Sequence, residues 1–524
     1  MASVIKVIRN FYRDSVALMQ LSSSLGKLPG VRSASAVMAS EANLALLREA
    51  GLLSGAVEAG PNDLLIAIEG DDEASLAEAV TVAEQALNPG PSSRAADGPR
   101  REPPRSLEMG LQAMPAANLA LISTPGDYAA AEAMKALRLG LNVMLFSDNV
   151  AVEDEIALKR YARAHDLIVM GPDCGTAIIG GIPLGFANVV RRGDIGIVAA
   201  SGTGLQQVTC LIDRLGGGVS QAIGTGGHDL SRGIGGISFL QGLQALADDD
   251  ATRVIVLISK PPAPEVAAAV LASARKAGKP VVVNFLGAES QSISGPRLTV
   301  SKTLEDAAVA SVALATGERF DHLALAAAAF DPPRLAAGQR YIRGLYSGGT
   351  FCYEATLLLS ETLSQVYSNT PVGPAKALDD VWKSRAHTLV DLGDDLFTRG
   401  RPHPMIDHRL RNERIANEAR DAETAVILID VVIGYGAHGD PAAEIAPVVQ
   451  EAISRATSAG RNLTIVGFVC GTEADPQSLA DQEARLRSAG MFLTQSNAQA
   501  VRLAARIVAE ALDGKRAAST AGSA

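Results

Sequence analysis

The sequence predicts an α/β protein whose later half repeats one doubly wound, parallel-sheet plan. Three observations carry that prediction. Short apolar runs alternate with helical patterns along nearly the whole chain, the mark of packed α/β layers. One pattern occurs twice: Gly-Ile-Val-Ala-Ala-Ser-Gly-Thr-Gly (196–204) and Gly-Leu-Tyr-Ser-Gly-Gly-Thr (344–350) each end an apolar run in Ser-Gly and Thr, and a helical pattern starts at once. The elements after the two copies follow in the same order, with glycine corners after corresponding strands. This reads as an internal duplication with a period larger than a solenoid repeat.

Within 1–88, VIKVIRNFY, VRSASAVM and DLLIAIEG read as strands. DSVALMQLSSSLGKL (with Asp14 or Ser15 as cap), SEANLALLREAG and DEASLAEAVTVAEQALN read as helices. They predict a small ferredoxin-like α/β domain. Residues 89–106 are rich in Pro, Gly, Ser and Arg and nearly free of apolar side chains, so they read as a tether with solvated arginines. Residues 107–192 resume the alternation: NLALISTPG, NVMLFSDN and LIVMGPDCG as strands, with DYAAAEAMKALRLG and VEDEIALKRYARAHD as helices. The strands are near-continuous apolar runs, as expected when helices cover both faces. Residues 193–335 and 336–515 are the two copies, expected as flavodoxin-like sheets with ligands outside the carboxyl ends of their strands. Residues 516–524, within the tail GKRAASTAGSA, are expected to be disordered.

Composition bounds the function. A chain of 524 residues accommodates three or four domains, and 47% hydrophobic residues supply their cores. Fifty glycines and a single Trp favour tightly turned α/β layers over an aromatic-rich sandwich. A net charge of −10 argues against a nucleic-acid partner, which requires a basic face. It leaves anionic substrates open, because helix ends can make a site locally positive. Cys174, Cys210, Cys352 and Cys470 are widely spaced without a metal-type pattern and read as reduced thiols of a cytoplasmic protein. MASVIKVIRNFYRDS lacks a signal-peptide core, and no run of about 18 apolar residues predicts a membrane span.

The two Ser-Gly turns are the first candidates for chemistry. Ser201, Gly202 and Thr203 open one helix; Ser347, Gly348, Gly349 and Thr350 open the other. Each turn offers unpaired backbone N–H groups, hydroxyls and the positive end of a helix dipole, which suits a phosphate. Ordinary N-capping is the alternative. Two such turns suggest helix ends aimed at one phosphoryl or acyl-phosphate group.

The runs MGPDCGTAIIGGIPLGFANV, IGIVAASGTG, IGTGGHDLSR, SKPP, DLGDDLFTRGRPHPMID and DVVIGYGAHGDPA together resemble the FdrA family, relatives of the succinyl-CoA synthetase (acid–thiol ligase) superfamily. The resemblance spans nearly the whole chain. It implies that 107–192 is a Rossmann-like CoA-binding-type domain, and that the two copies are ligase-type domains fused into one chain. The sequence departs from the superfamily in ways that bear on mechanism. No histidine follows VVVNFLG, where a phosphohistidine loop stands in the synthetases. Ser259-Lys260-Pro261-Pro262 stands where they carry a glutamate. Residues 107–120 lack a glycine-rich turn for CoA, and no ATP-grasp domain is recognisable. The resemblance implies a subunit of an oxamate carbamoyltransferase of ureide (allantoin) breakdown. Such a subunit acts with other subunits on carbamoyl phosphate and a small carboxylate or amide. An acyl-CoA synthetase of altered mechanism and a non-catalytic scaffold or phosphate sensor are the alternatives. No cofactor is expected with certainty; CoA or a nucleotide enters only under the ligase alternative.

Further site candidates follow. Gly226 and Gly227, with His228 and Asp229, form a glycine corner past a strand, where backbone can approach a ligand. His228 reads as a proton carrier or a turn cap. Arg232, Arg399 and Arg401 offer bidentate anion binding or surface salt bridges. His403 lies between prolines in an extended segment, near Asp407 and His408; spacing supplies no third ligand, so no metal is expected. Lys260 can neutralise an anion at a strand's carboxyl end. His438, past the strand that carries Asp430, is a candidate general base. Cys174 reads as packed, and Glu473 as a loop contact.

Overall fold

The computed structural model describes residues 2–13, 15–55, 57–87, 104–288, 295–318, 335–398 and 401–521. Most of the 89–106 tether lies outside the described residues. The chain forms two compact units: Met1–Pro172 with Asp395–Asp407, and Asp173–Asp394 with His408–Ala524.

The first unit opens with β1 (Ala2–Ile8), β2 (Val31–Met38) and β3 (Leu64–Gly70) in the order β1-β3-β2. β3 runs antiparallel to both neighbours, the split β-α-β arrangement of ferredoxin-like sandwiches. Strand alternation sets the packing. Leu64, Ile66 and Ile68 meet Leu25, Ala79 and Ala83 on one face, while Leu65 and Ala67 meet Leu47 and Leu53 on the other. The same unit holds a parallel sheet of β4 (Leu119–Ile122), β5 (Asn142–Leu145) and β6 (Val169–Met170). A short helix, Leu107–Ala113, capped by Ser106, precedes it where the sequence had given no element.

The second unit carries two sheets of seven strands each. The first comprises β7 (Thr176–Ile179), β8 (Ile182–Gly185), β9 (Arg192–Ala199), β10 (Val219–Gly224), β11 (Val254–Ser259), β12 (Val281–Phe285) and β13 (Leu298–Val300). Its order is β13-β12-β11-β9-β10-β7-β8. β9 to β13 are parallel, and the antiparallel β7–β8 hairpin extends the edge. That hairpin fell within 107–192 in the sequence reading; its hydrogen bonds join it to β10 instead. The second sheet comprises β14 (Tyr341–Tyr346), β15 (Val366–Ser368), β16 (Lys376–Ala377), β17 (His387–Asp391), β18 (Thr424–Val432), β19 (Thr464–Cys470) and β20 (Phe492–Thr494). All its pairings are parallel, in the order β16-β15-β17-β14-β18-β19-β20.

Set side by side, β13-β12-β11-β9-β10 and β20-β19-β18-β14-β17 are the same topology. The extra length of the second copy is β15 and β16, inserted between the counterparts of β9 and β10. The central strands are buried end to end, β18 at all nine residues. The last helix, Asn497–Ala521, includes 514–521, so those residues continue a helix instead of the disordered tail expected from 516 onward. Residues 522–524 lie outside the described residues.

Candidate functional site

β9 and β14 each lead straight into a helix, Gly202–Arg214 and Gly349–Thr362. Ser201 caps the first, its Oγ accepting from the Gly204 amide at 3.0 Å. The equivalent position in the second copy is Gly348, which has no side chain to cap with. A carboxylate from the neighbouring strand instead holds the turn ahead of that helix, leaving the first-turn amides without a side-chain cap. Asp430 on β18 accepts from the Ser347 amide (2.7 Å), the Ser347 hydroxyl (2.6 Å) and the Gly348 amide (3.0 Å). Asp430 is fully buried, and Arg411 neutralises it, with Nη1 at 2.5 Å from its carbonyl and 3.2 Å from Oδ1.

The two helix starts meet. Ser201 Oγ and Thr350 Oγ1 lie 2.6 Å apart. A Cβ on Gly348 would stand 3.0 Å from the Thr203 methyl and 2.5 Å from the Phe351 ring, so only glycine fits this approach. The first ladder bonds are Leu205 N to Ser201 O and Cys352 N to Gly348 O. The amides of Gly202, Thr203 and residues 349–351 therefore lie ahead of both ladders. Asp391, at the end of β17, faces the same place: its Oδ2 is 2.6 Å from where a Gly349 Cβ would sit. Burial pushes the Asp391 carboxyl up to about 7, against the pull of Lys260, which acts on it from the end of β11. The Lys260 ammonium also lies 5.5 Å from the Tyr353 ring centroid. The second helix start and one lysine thus face one buried carboxyl group, with the first helix start joined to the second through Ser201 and Thr350, an arrangement able to hold an oxyanion and to polarise a bond to it.

The structure thus brings together Ser201, Thr203, Ser347, Gly348, Gly349, Thr350 and Lys260 with Gly202 at the first helix start. Other candidates fare differently. Asp229 is fully buried, its carboxylate spent on the Ser238 and Phe239 amides at 3.4 and 2.7 Å. It caps the Ile237–Asp248 helix, which corrects the catalytic assignment. Arg232 pairs with Glu265 on the surface, the salt-bridge alternative. His228 is exposed in the turn after Gly226 and Gly227, and Gly226 takes φ +86°. Arg401 and His403 belong to the first unit. Arg401 is exposed, and His403 Nδ1 accepts from the Met405 amide at 3.2 Å in a turn, where an extended segment was expected. Arg399 lies outside the described residues. Cys174 is buried, with Sγ 3.4 Å from the Gly224 carbonyl, as a packed residue.

His438 joins a cluster that spacing could not reveal: possible ligand atoms of His408, His438 and Glu444 lie within 4.8 Å of one another. A metal ion needs a bare ring nitrogen on each histidine. His438 Nδ1 accepts the Asp440 amide at 3.0 Å, and Arg411 Nη2 donates toward His408 Nδ1 at 3.2 Å. The remaining nitrogens therefore carry the protons in the neutral rings, and His438 Nε2 faces Glu444 Oε1 at 3.4 Å. As held, the group fits an acid–base cluster better than a cation site. A polar cavity of about 630 Å³, lined by Tyr341, Arg343, Tyr367 and Arg385 among others, lies at the opposite, amino-terminal end of β14.

Asp391 and Arg411 escaped the sequence reading. Asp391 ends the apolar run HTLVD at the sheet edge where ligands bind, and that position was the available signal. Arg411 left none, because its partner is 19 residues away on another element.

Comparison with known proteins gives the kinship. A protein of Escherichia coli K12, described as the uncharacterised protein YahF, is 44% identical over 496 residues, covering 93% of this chain and 95% of its own. The chain belongs to the FdrA family. Within this FdrA-family protein the CoA-ligase family model matches residues 345–507 and the CoA binding domain model residues 190–287. The latter lies on the β9–β12 half of the first seven-stranded sheet, not on most of 107–192. The model described as AllF, heavy metal-associated domain, matches residues 1–103. That stretch contains no cysteine and no histidine, so it offers neither the thiolate nor the imidazole ligands common at heavy-metal sites. The succinate–CoA ligase [ADP-forming] subunit alpha 2 of Archaeoglobus fulgidus is 30% identical over 148 residues, 28% of this chain and half of that subunit. The apo acetyl-coenzyme A synthetase 1 of Ca. Korarchaeum cryptofilum aligns over 75% of this chain and 83% of its own, at 16% identity and a TM-score of 0.32. The fold of this FdrA-family chain is thus succinyl-CoA synthetase-like, with an AllF-related amino-terminal domain. No described helix is long and apolar enough to cross a membrane.

Proposed function

We propose that this protein is a subunit of a carbamoyltransferase that acts between carbamoyl phosphate and oxamate, giving oxalurate and phosphate. The observation that carries the reading is the head-to-head meeting of two helix starts at Ser201 and Thr350. Carbamoyl phosphate is an acyl phosphate. The amide nitrogen of the acceptor attacks its carbonyl carbon, the bond from that carbon to the phosphate oxygen breaks, the electron pair leaves on phosphate, and the proton lost from the attacking nitrogen ends on the released phosphate. Amides at both helix starts and Lys260 offset the charge that gathers on the leaving group. No covalent histidine is needed, in keeping with its absence after VVVNFLG. The AllF-type match over residues 1–103 favours ureide chemistry.

The test is oxamate-dependent phosphate release from carbamoyl phosphate by the protein purified together with its co-expressed partner subunits. Release in wild type, lost in Ser201→Ala with Thr350→Val, supports the reading; no oxamate-dependent release sinks it. The CoA-ligase match supports a second reading, an acid–thiol ligase. It requires acyl-CoA formation from acid, CoA and nucleotide, which the same preparation would reveal. A phosphate-sensing subunit would leave turnover intact in the double variant.

A further inference from the structure

We propose that Asp391 makes the site between the two helix starts select an oxyanion that carries its own proton, such as phosphate, over one that does not, such as sulfate. The inference rests on the phosphate site of the preceding reading and adds its selectivity.

A helix start alone attracts any small anion. Here a second group faces it. Asp391 is 7% exposed. Its Oδ1 accepts from the Gly393 amide at 2.9 Å, and Asn369 fixes its backbone, with Oδ1 taking the Asp391 amide at 2.9 Å and Nδ2 donating to its carbonyl at 3.1 Å. Its Oδ2 accepts no hydrogen bond among the described residues and stands over Gly349, the first residue of the second helix. The missing Gly349 side chain is what makes room for it. The helix itself has no side-chain cap, so a buried carboxyl oxygen and uncapped amides share one small space.

A carboxylate there repels a bare oxyanion and accepts a hydrogen bond from a protonated one. Phosphate dianion near neutral pH still holds one proton to donate. Sulfate holds none, so it enters only with Asp391 itself protonated. The charged groups acting on Asp391 are Lys260 after β11, which favours its charged form, and Asp394 after β17 and Asp430 on β18, which oppose it. The Cys352 thiol, on the Gly349–Thr362 helix, is itself pushed up chiefly by burial and also by Asp391. Burial, the largest influence, brings the carboxyl to about 7. Sulfate binding should therefore weaken as pH rises above that value, while phosphate binding holds.

The experiment is calorimetric titration of the full chain with inorganic phosphate and with sulfate. Wild type should bind phosphate at least about tenfold tighter than sulfate near pH 8, the scale set by one mismatched buried polar contact. Asp391→Asn, whose amide can donate to either anion, should bring the two within about threefold of each other. A second measurement needs no variant: between about pH 7 and pH 9, sulfate affinity of the wild type should fall roughly tenfold per unit, and phosphate affinity by less than threefold. Equal affinity for both anions in wild type, a preference unchanged in D391N, or parallel pH profiles would overturn the inference and leave the phosphate site standing. Failure of either protein to bind either anion at any pH would remove the site itself, and with it the inference.

Discussion

Glu354 shows at the scale of one residue how burial sets the pH response of this protein. It lies one turn into the Gly349–Thr362 helix and accepts from the Leu304 amide at 2.8 Å and from Asn497 Nδ2 at 2.8 Å. Burial, against those hydrogen bonds, pushes its carboxyl up to about 7. The folded state holds this proton more tightly than the unfolded chain does. The stability it contributes is therefore full below the ordinary glutamate range and is lost as pH rises toward about 7. The loss is on the order of 3 kcal/mol. Glu354→Gln should flatten part of the decline in urea-unfolding free energy between about pH 5 and pH 8, with Asn497 turning its Oδ1, unpartnered at present, toward the new amide. An unchanged slope would show that Glu354 titrates normally. At this scale the sequence was legible where chemistry is local. Ser201 and Thr350 were readable because a Ser-Gly-Thr turn before a helix carries its meaning in four or five adjacent residues. Asp430, Arg411 and Asp391 act through partners on other elements, brought together by strand order and by packing of the Arg409–Arg420 helix on the sheet, and linear spacing contains no such distances.

The two helix starts show how equivalent elements can be held by different means. In the first copy Ser201 caps the helix through the Gly204 amide; in the second, Gly348 stands there, Asp430 anchors the preceding turn from the next strand, and the first-turn amides keep no side-chain cap. Gly348 is needed for close approach. Gly348→Ala should cost about 1–3 kcal/mol of stability, because a new methyl must displace the Phe351 ring or the Thr203 methyl, and it should weaken phosphate binding. Chemical denaturation and phosphate titration check the two effects separately; wild-type values in both would mean the helix starts can separate freely. Most strands were readable at this level because buried parallel strands are short apolar runs between glycine corners. The β7–β8 hairpin was not. Its strands are four residues each, Pro183 interrupts one, and the turn at Gly180 and Gly181 uses positive φ, so the stretch carries no strand signal of its own. Its strand character comes from pairing with β10.

Across the second unit, a few buried polar groups tie the two sheets into one body. Asp475, after β19, accepts from the Val189 amide (2.8 Å), Asn188 Nδ2 (2.7 Å) and the Thr472 amide (2.8 Å). Arg214, ending the first of the paired helices, donates to the Val469 carbonyl at 2.6 Å and the Gly471 carbonyl at 3.0 Å. These bonds hold the helix starts in register. Asp475→Ala strands the fully buried Thr472 amide, at a cost of about 1–3 kcal/mol, and removes the partner of the half-buried Val189 amide. Scanning calorimetry should then show a lower and broader transition, resolving into two as the sheets unfold separately. A single transition as sharp as the wild type's would argue against this coupling. The duplication itself was visible in the order of elements, since matching strand and helix successions dictate matching topologies. That the copies face each other through their helix starts was not, because nothing in either copy's pattern encodes how it docks on its twin.

The contrast between Ser201 at one helix start and Gly348 with Asp430 at the other has a consequence for how such a molecule can change. In a symmetric pair of identical subunits every substitution appears on both sides, so a change that helps one entrance and harms the other is self-defeating. Covalent fusion removes that restraint. One half is free to become acidic and tightly anchored while its sibling stays hydroxyl-lined, giving a bound guest two unlike ends to recognise.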